Sequence, residues 1–388
     1  MKLSSLHLEH FRNYSRLDFV FPEEPIVVLS GENAQGKTNF LEAIYMLALT
    51  KSFRVSDRDF LKQFEQDYYR IEAKGEDLHL ELCEVHEPRI QRVLKKNGVK
   101  ISAPKFIGHL KVVLFRPEDL HMLTGEPAQR RKYLNTILIQ TTPGYMKQLQ
   151  LYQKLLSQRN ALLLQVKLNT MPSYALDLWD EQLAEAGSAL LGSRLELVAF
   201  LQNQLRELGV PYTVDYEGSF DEKHEKLFNA DSCPGRNSAS NLTPFQKDLS
   251  QSSPDLQQIL LRAFERNRPR DIRATRTSVG PHRDDLKLKI NNQPLELTAS
   301  RGELRSALMA LKQAEIAWIQ HKTADTPIIL LDDVFSELDS TRKNDLFDLL
   351  PNDAQIIMTV AEGNPLPSSS KLKSASTVRK VHAGQILL

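Results

Sequence analysis

Hydrophobic and polar positions alternate at the start of the chain, and the period then changes several times. Leu3, Leu6 and Leu8 lead into Phe11-Arg12-Asn13-Tyr14, and Leu17-Asp18-Phe19-Val20-Phe21 alternates again, so residues 1–30 read as a β-meander. Beyond the Pro22–Pro25 turn, Ile26-Val27-Val28-Leu29 is a continuous apolar run that suits a strand buried on both faces. Phe40, Ile44 and Leu47 then recur at helical spacing and predict a helix with one buried face over 39–49. From about Pro127 to Leu208 long amphipathic helices dominate. Tyr145, Leu149, Tyr152, Leu155 and Leu156 form one stripe, and Trp179, Leu183, Leu190, Leu191, Leu195 and Leu201 form another. With Pro172-Ser173-Tyr174 between them, they predict a helical hairpin or small bundle, too short and irregular for a long coiled coil. Asp231–Pro254, rich in Ser, Asn, Pro and Gly, predicts a flexible surface insertion. A short helix over Leu256–Phe264 follows, then an arginine-dense stretch ending near Arg276. Strand alternation returns at Leu286, Leu288 and Ile290, and Ile328–Leu331 and Gln355–Met358 are further strands. Ser368–Ser376 reads as a loose linker before a last edge strand at Lys380–Leu388.

Composition changes this picture little. A chain of 388 residues with 41% apolar and 26% charged residues has room for two or three domains with real cores. Its longest apolar runs are strand-length, far short of the ~20 residues that span a bilayer, and the first residues lack a signal-peptide apolar core. Cys83 and Cys233 fit neither a disulfide framework nor a metal site, so the expected setting is reducing and cytoplasmic. A net charge of +1 provides no protein-wide field for nucleic acid. Any such binding must come from a local patch or from two subunits together, and composition alone leans towards an enzyme of small molecules.

Three short stretches redirect that reading. Gly31-Glu32-Asn33-Ala34-Gln35-Gly36-Lys37-Thr38 fits G-x-x-x-x-G-K-[ST] completely and lies between an apolar strand and a helix. Its glycines let backbone N–H groups close around phosphates, and the helix beginning near Lys37 points its positive dipole at them. Lys37 would reach the β- and γ-phosphates, and Thr38 would offer a hydroxyl to Mg2+. Ile328-Ile329-Leu330-Leu331-Asp332-Asp333 is a buried strand ending in two carboxylates. Asp332 would hold Mg2+, and Asp333 would orient the attacking water or accept its proton. Lys37 and Asp332 stand 295 residues apart, so something large is inserted into one nucleotide-binding domain. The third stretch, Ser300-Arg301-Gly302-Glu303-Leu304-Arg305, opens a helix. It is either a plain capping box of Ser300 and Glu303 or a second anion site. A subunit that already owns a phosphate cradle has use for a second one only on a partner's nucleotide, and the other two motifs favour that reading.

On these motifs the chain resembles the ABC-type ATPases of the SMC class and, within them, the RecF family, over almost its whole length. Asp332-Asp333-Val334-Phe335-Ser336-Glu337-Leu338-Asp339 resembles that family's Walker B and D-loop, and Phe11-Arg12-Asn13-Tyr14 its opening motif. Gly280-Pro281-His282-Arg283-Asp284-Asp285, Leu114–Leu120, Arg130-Arg131 and Arg159-Asn160 are similar to further landmarks. The resemblance implies an α/β fold: an ABC-type ATPase head built on a P-loop mixed sheet, with an inserted helical arm domain. Its parts would be residues 1–120 as the first part of the head, 121–274 as the arm with a flexible 231–254, and 275–388 as the rest of the head. It implies ATP and Mg2+ as cofactors, Gly31 to Thr38 and Arg12 as ATP contacts, and Lys37, Asp332 and Asp333 as the catalytic set. Thr38 and Asp332 would hold the metal, while Ser300, Gly302, Arg305 and Asp339 would reach the ATP of a partner subunit. It further implies an ATP-dependent homodimer on single-stranded, gapped or duplex DNA, with RecR, RecO and RecA as pathway partners. Gap repair, replication restart and SOS induction are the processes implied. Asp333 stands where many ABC ATPases have Glu, and the shorter carboxylate predicts a slow switch rather than a motor. Glu303 occupies a position where Gln is frequent, and Thr359 the place of a transporter-type switch His. No Q-loop glutamine is evident near Arg116–Asp119.

For DNA, Arg262, Arg266, Arg268, Arg270, Arg273 and Arg276 put six positive charges in fifteen residues. Arg130, Arg131 and Lys132 form a second cluster. Both read as contacts to backbone phosphates, or as a solvated helical face with internal ion pairs. Arg283 suits a dimer interface as well as DNA, and no aromatic–basic interleaving marks a single-strand channel. An SMC-like structural clamp would carry a far longer coiled coil. A nucleotide kinase would lack the serine–glycine signature and the wide motif split, and a transporter subunit would keep the switch His and lack the inserted arm.

Overall fold

The computed structural model describes residues 2–87, 89–220, 253–334, 347, 350–363, 372 and 375–387. Its chain divides into two compact units. The first holds Met1–Leu120, Ile139–Thr141 and Leu311–Leu388; the second holds His121–Leu138 and Thr142–Ala310.

Two sheets build the first unit. The expected opening meander is present as β1 (Leu3–Phe11) and β2 (Tyr14–Val20). It extends through β4 (Tyr68–Gly75), β5 (His79–Val85), β6 (Gln91–Lys96) and β7 (Val99–Lys100) into an antiparallel sheet of order β2-β1-β4-β5-β6-β7. The second sheet contains β3 (Ile26–Gly31), β8 (Val112–Phe115), β12 (Ile328–Leu331), β13 (Ile356–Ala361), β14 (Ser376–His382) and β15 (Gln385–Leu387). Its order is β15-β14-β3-β13-β12-β8, with every pair parallel except β14–β15. The continuous apolar runs at 26–29 and 328–331 are inner strands and that at 112–115 is an edge strand, and all three are buried along their length as parallel strands are. The expected edge strand at the carboxy end is present as β15, the second strand of a hairpin whose first strand begins at Ser376 and lies inside the sheet, beside β3.

The helix Lys37–Leu49 touches β4 and β5 of one sheet and β3, β8 and β13 of the other. The expected single buried face is therefore too modest: Phe40 to Leu49 are buried without interruption. A helix enclosed on several sides is apolar all round. Phe19, Phe21 and Phe40 pack edge-on around it with centroids 5.0 and 5.2 Å apart for the two Phe19 pairs. Gln355 ties the two sheets together by bonding both the amide (2.8 Å) and the carbonyl (3.0 Å) of Leu3.

The second unit is mainly helical. Tyr145–Lys167 and Asp177–Glu207 are the two expected long helices. The expected short helix at 256–264 runs further, as Ser253–Ala274, through the arginine-dense stretch and past Pro269. Pro269 removes one backbone donor, and packing along the Asp177–Glu207 helix carries the element through it. A small antiparallel sheet of order β11-β10-β9 completes the unit, from β9 (Tyr212–Glu217), β10 (Asp285–Ile290) and β11 (Gln293–Pro294). This sheet moves the expected boundary at 274/275 to Ala310/Leu311. The reason is register: Asp285 to Ile290 pair with Glu217 to Tyr212, residues that precede the 231–254 stretch in the chain. Most of that stretch, and most of the expected linker at 368–376, fall outside the described residues.

Candidate nucleotide-binding site

Within the first unit, β3 and the helix Lys37–Leu49 are joined by the glycine loop that their sequence requires. Gly36 has φ +114°, and Ala34 is left-handed as well at +65°, so successive amides turn towards the helix start. Gly31 is required by space and Gly36 by its left-handed backbone. A Cβ on Gly31 would stand 2.4 Å from the Val381 backbone carbonyl, and one on Gly36 would stand 2.7 Å from the Asn13 side-chain amide. Lys37 bends back over the loop, and its ammonium donates to the carbonyls of Gly31 (2.5 Å) and Glu32 (2.6 Å). Burial lowers its pKa, against the pull of Asp333, Asp332 and Glu362, which favour the charge.

The separation of Lys37 from the two aspartates closes in space. Thr38 Oγ1 donates to Asp332 Oδ1 at 2.8 Å, across 294 residues of chain. Thr359, on the strand between β3 and β12, donates to the same oxygen at 3.0 Å. It also accepts the Asp333 amide at 2.8 Å. Burial raises the Asp332 pKa, and the two hydroxyls oppose that shift. A hydroxyl and a carboxylate in contact are hard oxygen donors of the kind that hold Mg2+ beside phosphate oxygens. Asp333 has φ +49°, in the left-handed region that Asp tolerates. Its aim therefore depends on the hydroxyl that holds its N–H. In the sequence Thr359 stands out only as the residue in place of a switch histidine; the signal that points to its role is a hydroxyl inside an otherwise apolar strand.

Arg12 lies beside the helix Lys37–Leu49. Its guanidinium grips Glu42 with two bonds (2.9 and 2.7 Å), and a third goes to the Phe60 carbonyl at 2.7 Å. Glu42 is fully buried, so Arg12 neutralises a carboxylate inside the Lys37–Leu49 helix. Its neighbours act on the loop instead. Asn13 donates to the Gln35 carbonyl (2.9 Å) and accepts from Asn39 (2.8 Å), and the Tyr14 hydroxyl donates to the Gly36 carbonyl (3.0 Å).

In the second unit, Ser300 and Glu303 form the capping box: the Ser300 amide donates to Glu303 (2.7 Å) and the Glu303 amide to Ser300 Oγ (3.3 Å). Ser300 and Arg301 are exposed, and Gly302 and Arg305 are half-buried, at the start of the helix Arg301–Thr323. The capping geometry and a solvent-facing helix N-terminus thus coexist. Asp339 lies outside the described residues.

The expected DNA-binding arginines divide. Arg130 is buried and bonds Asp285 twice (2.7 and 2.8 Å), so it is an internal ion pair and not a phosphate contact. Arg131 is half-buried and donates to the Asp284 carbonyl at 2.8 Å. Arg268 is held by Asp180 (2.6 Å) and Asp177 (2.7 Å). Lys132, Arg262, Arg266, Arg270 and Arg273 are exposed. The buried arginines belong to one polar network. Arg159 reaches Asp180 (2.5 Å), Asp271 (2.8 Å) and Thr277 (2.8 Å), and Asn160 accepts both the amide and the hydroxyl of Thr277. Arg194 donates to the Pro281 carbonyl at 2.6 Å, and Asp284 accepts from Tyr216 and Ser219 at 2.7 Å. His282 accepts the Tyr152 hydroxyl at Nδ1 (2.7 Å) and donates from Nε2 to the Thr277 carbonyl (3.1 Å), and burial lowers its pKa to about 4. Sequence landmarks far apart in the chain are thus the members of one interior.

The comparisons with known proteins agree with this arrangement. The family model described as RecF/RecN/SMC N terminal domain matches residues 2–383. A DNA replication and repair protein RecF from Streptococcus thermophilus is 37% identical over 363 residues, 92% of each chain. One from Bacillus thuringiensis is 33% identical over 383 residues, 97% of this chain and 96% of its own. A solved structure of the recombination mediator protein RecF-ATPrS in the RecFOR pathway superposes with a TM-score of 0.82 at 28% identity, covering 100% of this chain and 97% of that one. A RecF-ATP structure gives 0.79 at 27% identity, covering 99% and 98%.

Proposed function

The chain belongs to the RecF family of RecF/RecN/SMC proteins, and on that premise we propose that it is an ATP-dependent DNA-binding protein of replication and recombinational repair. It binds ATP at Gly31–Thr38, pairs with a second copy around the nucleotide, and hydrolyses it slowly. The observation that carries this reading is the meeting of Thr38, Thr359 and Asp332 at one carboxylate oxygen, which joins the phosphate loop to the two aspartates.

In this mechanism Lys37 exchanges its bonds to the Gly31 and Glu32 carbonyls for the β- and γ-phosphates, so the charge already poised at the loop is reused. Thr38 and Asp332 would hold Mg2+, which would supply positive charge to offset that developing on the phosphate. Asp333 orients the water for in-line attack. Its short side chain, on a left-handed backbone, suits a timer more than a motor. Ser300, the Gly302 amide and Arg305 of a second copy close over the γ-phosphate, and the capping box holds Ser300 ready for it. Hydrolysis would then release the pair from gapped or single-stranded DNA, in the pathway in which RecO and RecR help RecA onto DNA, with replication restart and SOS induction downstream.

Sedimentation with and without ATP, on gapped, single-stranded and duplex DNA, tests the reading. ATP should convert monomer to dimer and retain it on DNA. Ser300→Arg should bind ATP as a monomer and fail to pair, while Lys37→Arg should pair and lose turnover by at least ~100-fold. ATP-dependent dimers of Ser300→Arg that match the unsubstituted chain would remove the shared-site mechanism.

A further inference from the structure

We propose that the carboxy-terminal hairpin is a working part of the nucleotide site: its turn, Ala383-Gly384, clamps the phosphate loop through Gln35 and holds it in the phosphate-binding shape. The proposal deepens the ATP reading and rests on it.

Strands β14 and β15 are joined by two residues, with His382 paired to Gln385. Ala383 and Gly384 both have positive φ (+47° and +72°), the signature of a type I′ turn. The amides at the centre of such a turn are not used by the strand ladder, and here both are spent on one residue of the loop. The Ala383 amide donates to Gln35 Oε1 at 2.6 Å, and the Gly384 amide donates to the Gln35 carbonyl at 3.0 Å. That carbonyl also takes the Asn13 side-chain amide at 2.9 Å, so it is held from two sides. A carbonyl pinned by two donors cannot rotate inward, and the amides that follow it in the loop stay turned towards the phosphate side.

The fit leaves no slack. A Cβ on Gly384 would stand 2.4 Å from the Asn13 carbonyl, and one on Gly31 would stand 2.4 Å from the Val381 carbonyl. Hairpin, phosphate loop and opening motif are in van der Waals contact at both glycines. Gly31 is fixed from a third direction, because its carbonyl accepts the Glu362 amide at 3.0 Å, and Glu362 is paired with Lys380 of β14 at 2.7 Å. Residues at the far end of the chain thus determine the shape of a loop some 350 positions earlier. Gln35 is a positioning residue: its side chain and carbonyl act on the loop through the turn.

Titration of a fluorescent ATP analogue with Mg2+ tests this, beside thermal melts without nucleotide and hydrogen exchange of the 376–388 segment. Gln35→Leu keeps the bulk and removes the acceptor, and should raise Kd about tenfold with the nucleotide-free melt unchanged. Gly384→Ala should raise it at least as much. Because coupling is reciprocal, ATP should slow exchange at the Ala383 and Gly384 amides, and Gln35→Leu should abolish that slowing. Unchanged affinity in Gln35→Leu, or hairpin exchange indifferent to ATP, overturns the clamp. A loss of affinity accompanied by an equally large loss of nucleotide-free stability also overturns it, leaving the contact merely structural. If the unsubstituted chain binds no better than Lys37→Ala, the ATP reading itself fails, and the clamp falls with it.

Discussion

The phosphate loop of the first unit and the buried polar network of the second are both built from charged and hydrogen-bonding groups, yet they are assembled in opposite ways. The loop works through main-chain amides and carbonyls of eight consecutive residues, trimmed by glycines where another chain segment comes too close. The network works through side chains from many segments, with Arg130 meeting Asp285 across 155 residues and Arg159 meeting Asp271 across 112. A contiguous backbone motif announces itself in sequence. A dispersed side-chain network reads as scattered charge, and its arginines are easily taken for a nucleic-acid surface.

Breaking the network should therefore damage stability, and breaking the nucleotide end should damage activity. The largest effect is expected from Arg159→Ala, which removes the guanidinium shared by the buried Asp180 and Asp271. A loss of about 3–5 kcal/mol in denaturant unfolding is expected, and a loss below about 1 kcal/mol would show the interior to be solvated. Next is the response to pH. His282 has its folded pKa near 4, below its unfolded value of about 6.5. Its contribution is whole above pH ~6.5 and falls away as the pH drops towards 4, because the unfolded chain takes up the proton first. Up to about 3 kcal/mol should disappear over that window, and His282→Asn should flatten the slope.

At the nucleotide end, Thr359→Val removes the hydroxyl shared by Asp332 and the Asp333 amide. Turnover should fall about 10–30-fold, roughly 1.4–2 kcal/mol, while ATP affinity changes less than about threefold and melting hardly moves. Equal losses in binding and turnover would mean that Thr359 shapes the pocket and not the catalytic carboxylates. The smallest effect belongs to the exposed arginines. Arg270→Ala and Arg273→Ala should each change stability by less than about 0.5 kcal/mol. If they meet DNA phosphates, each should lower the salt dependence of binding by about one unit of slope. Arg130→Ala should leave that slope alone while it destabilises the fold. A reversed pattern would return Arg130 to the DNA surface.

The phosphate loop, the aliphatic strand before Asp332 and the helix opened by Ser300 were legible in the chain because each is local: periodicity, glycine spacing and a capping pair are properties of neighbouring residues. The long helices at 145–167 and 177–207 were legible for the same reason. Three features depended on contacts between distant residues. One is the pairing of Arg12 with the buried Glu42, 30 residues further on. Arg130 looked like a phosphate contact until Asp285 was found beside it. Strand β10 looked like the return of the head until its register with β9 assigned it to the second unit. By itself the sequence determined that this chain carries the parts of a P-loop ATPase split by an insertion. Only the tertiary structure decided which charges are spent inside the protein, because a charge is neutralised by whatever lies within a few ångströms of it, wherever in the chain that partner was encoded.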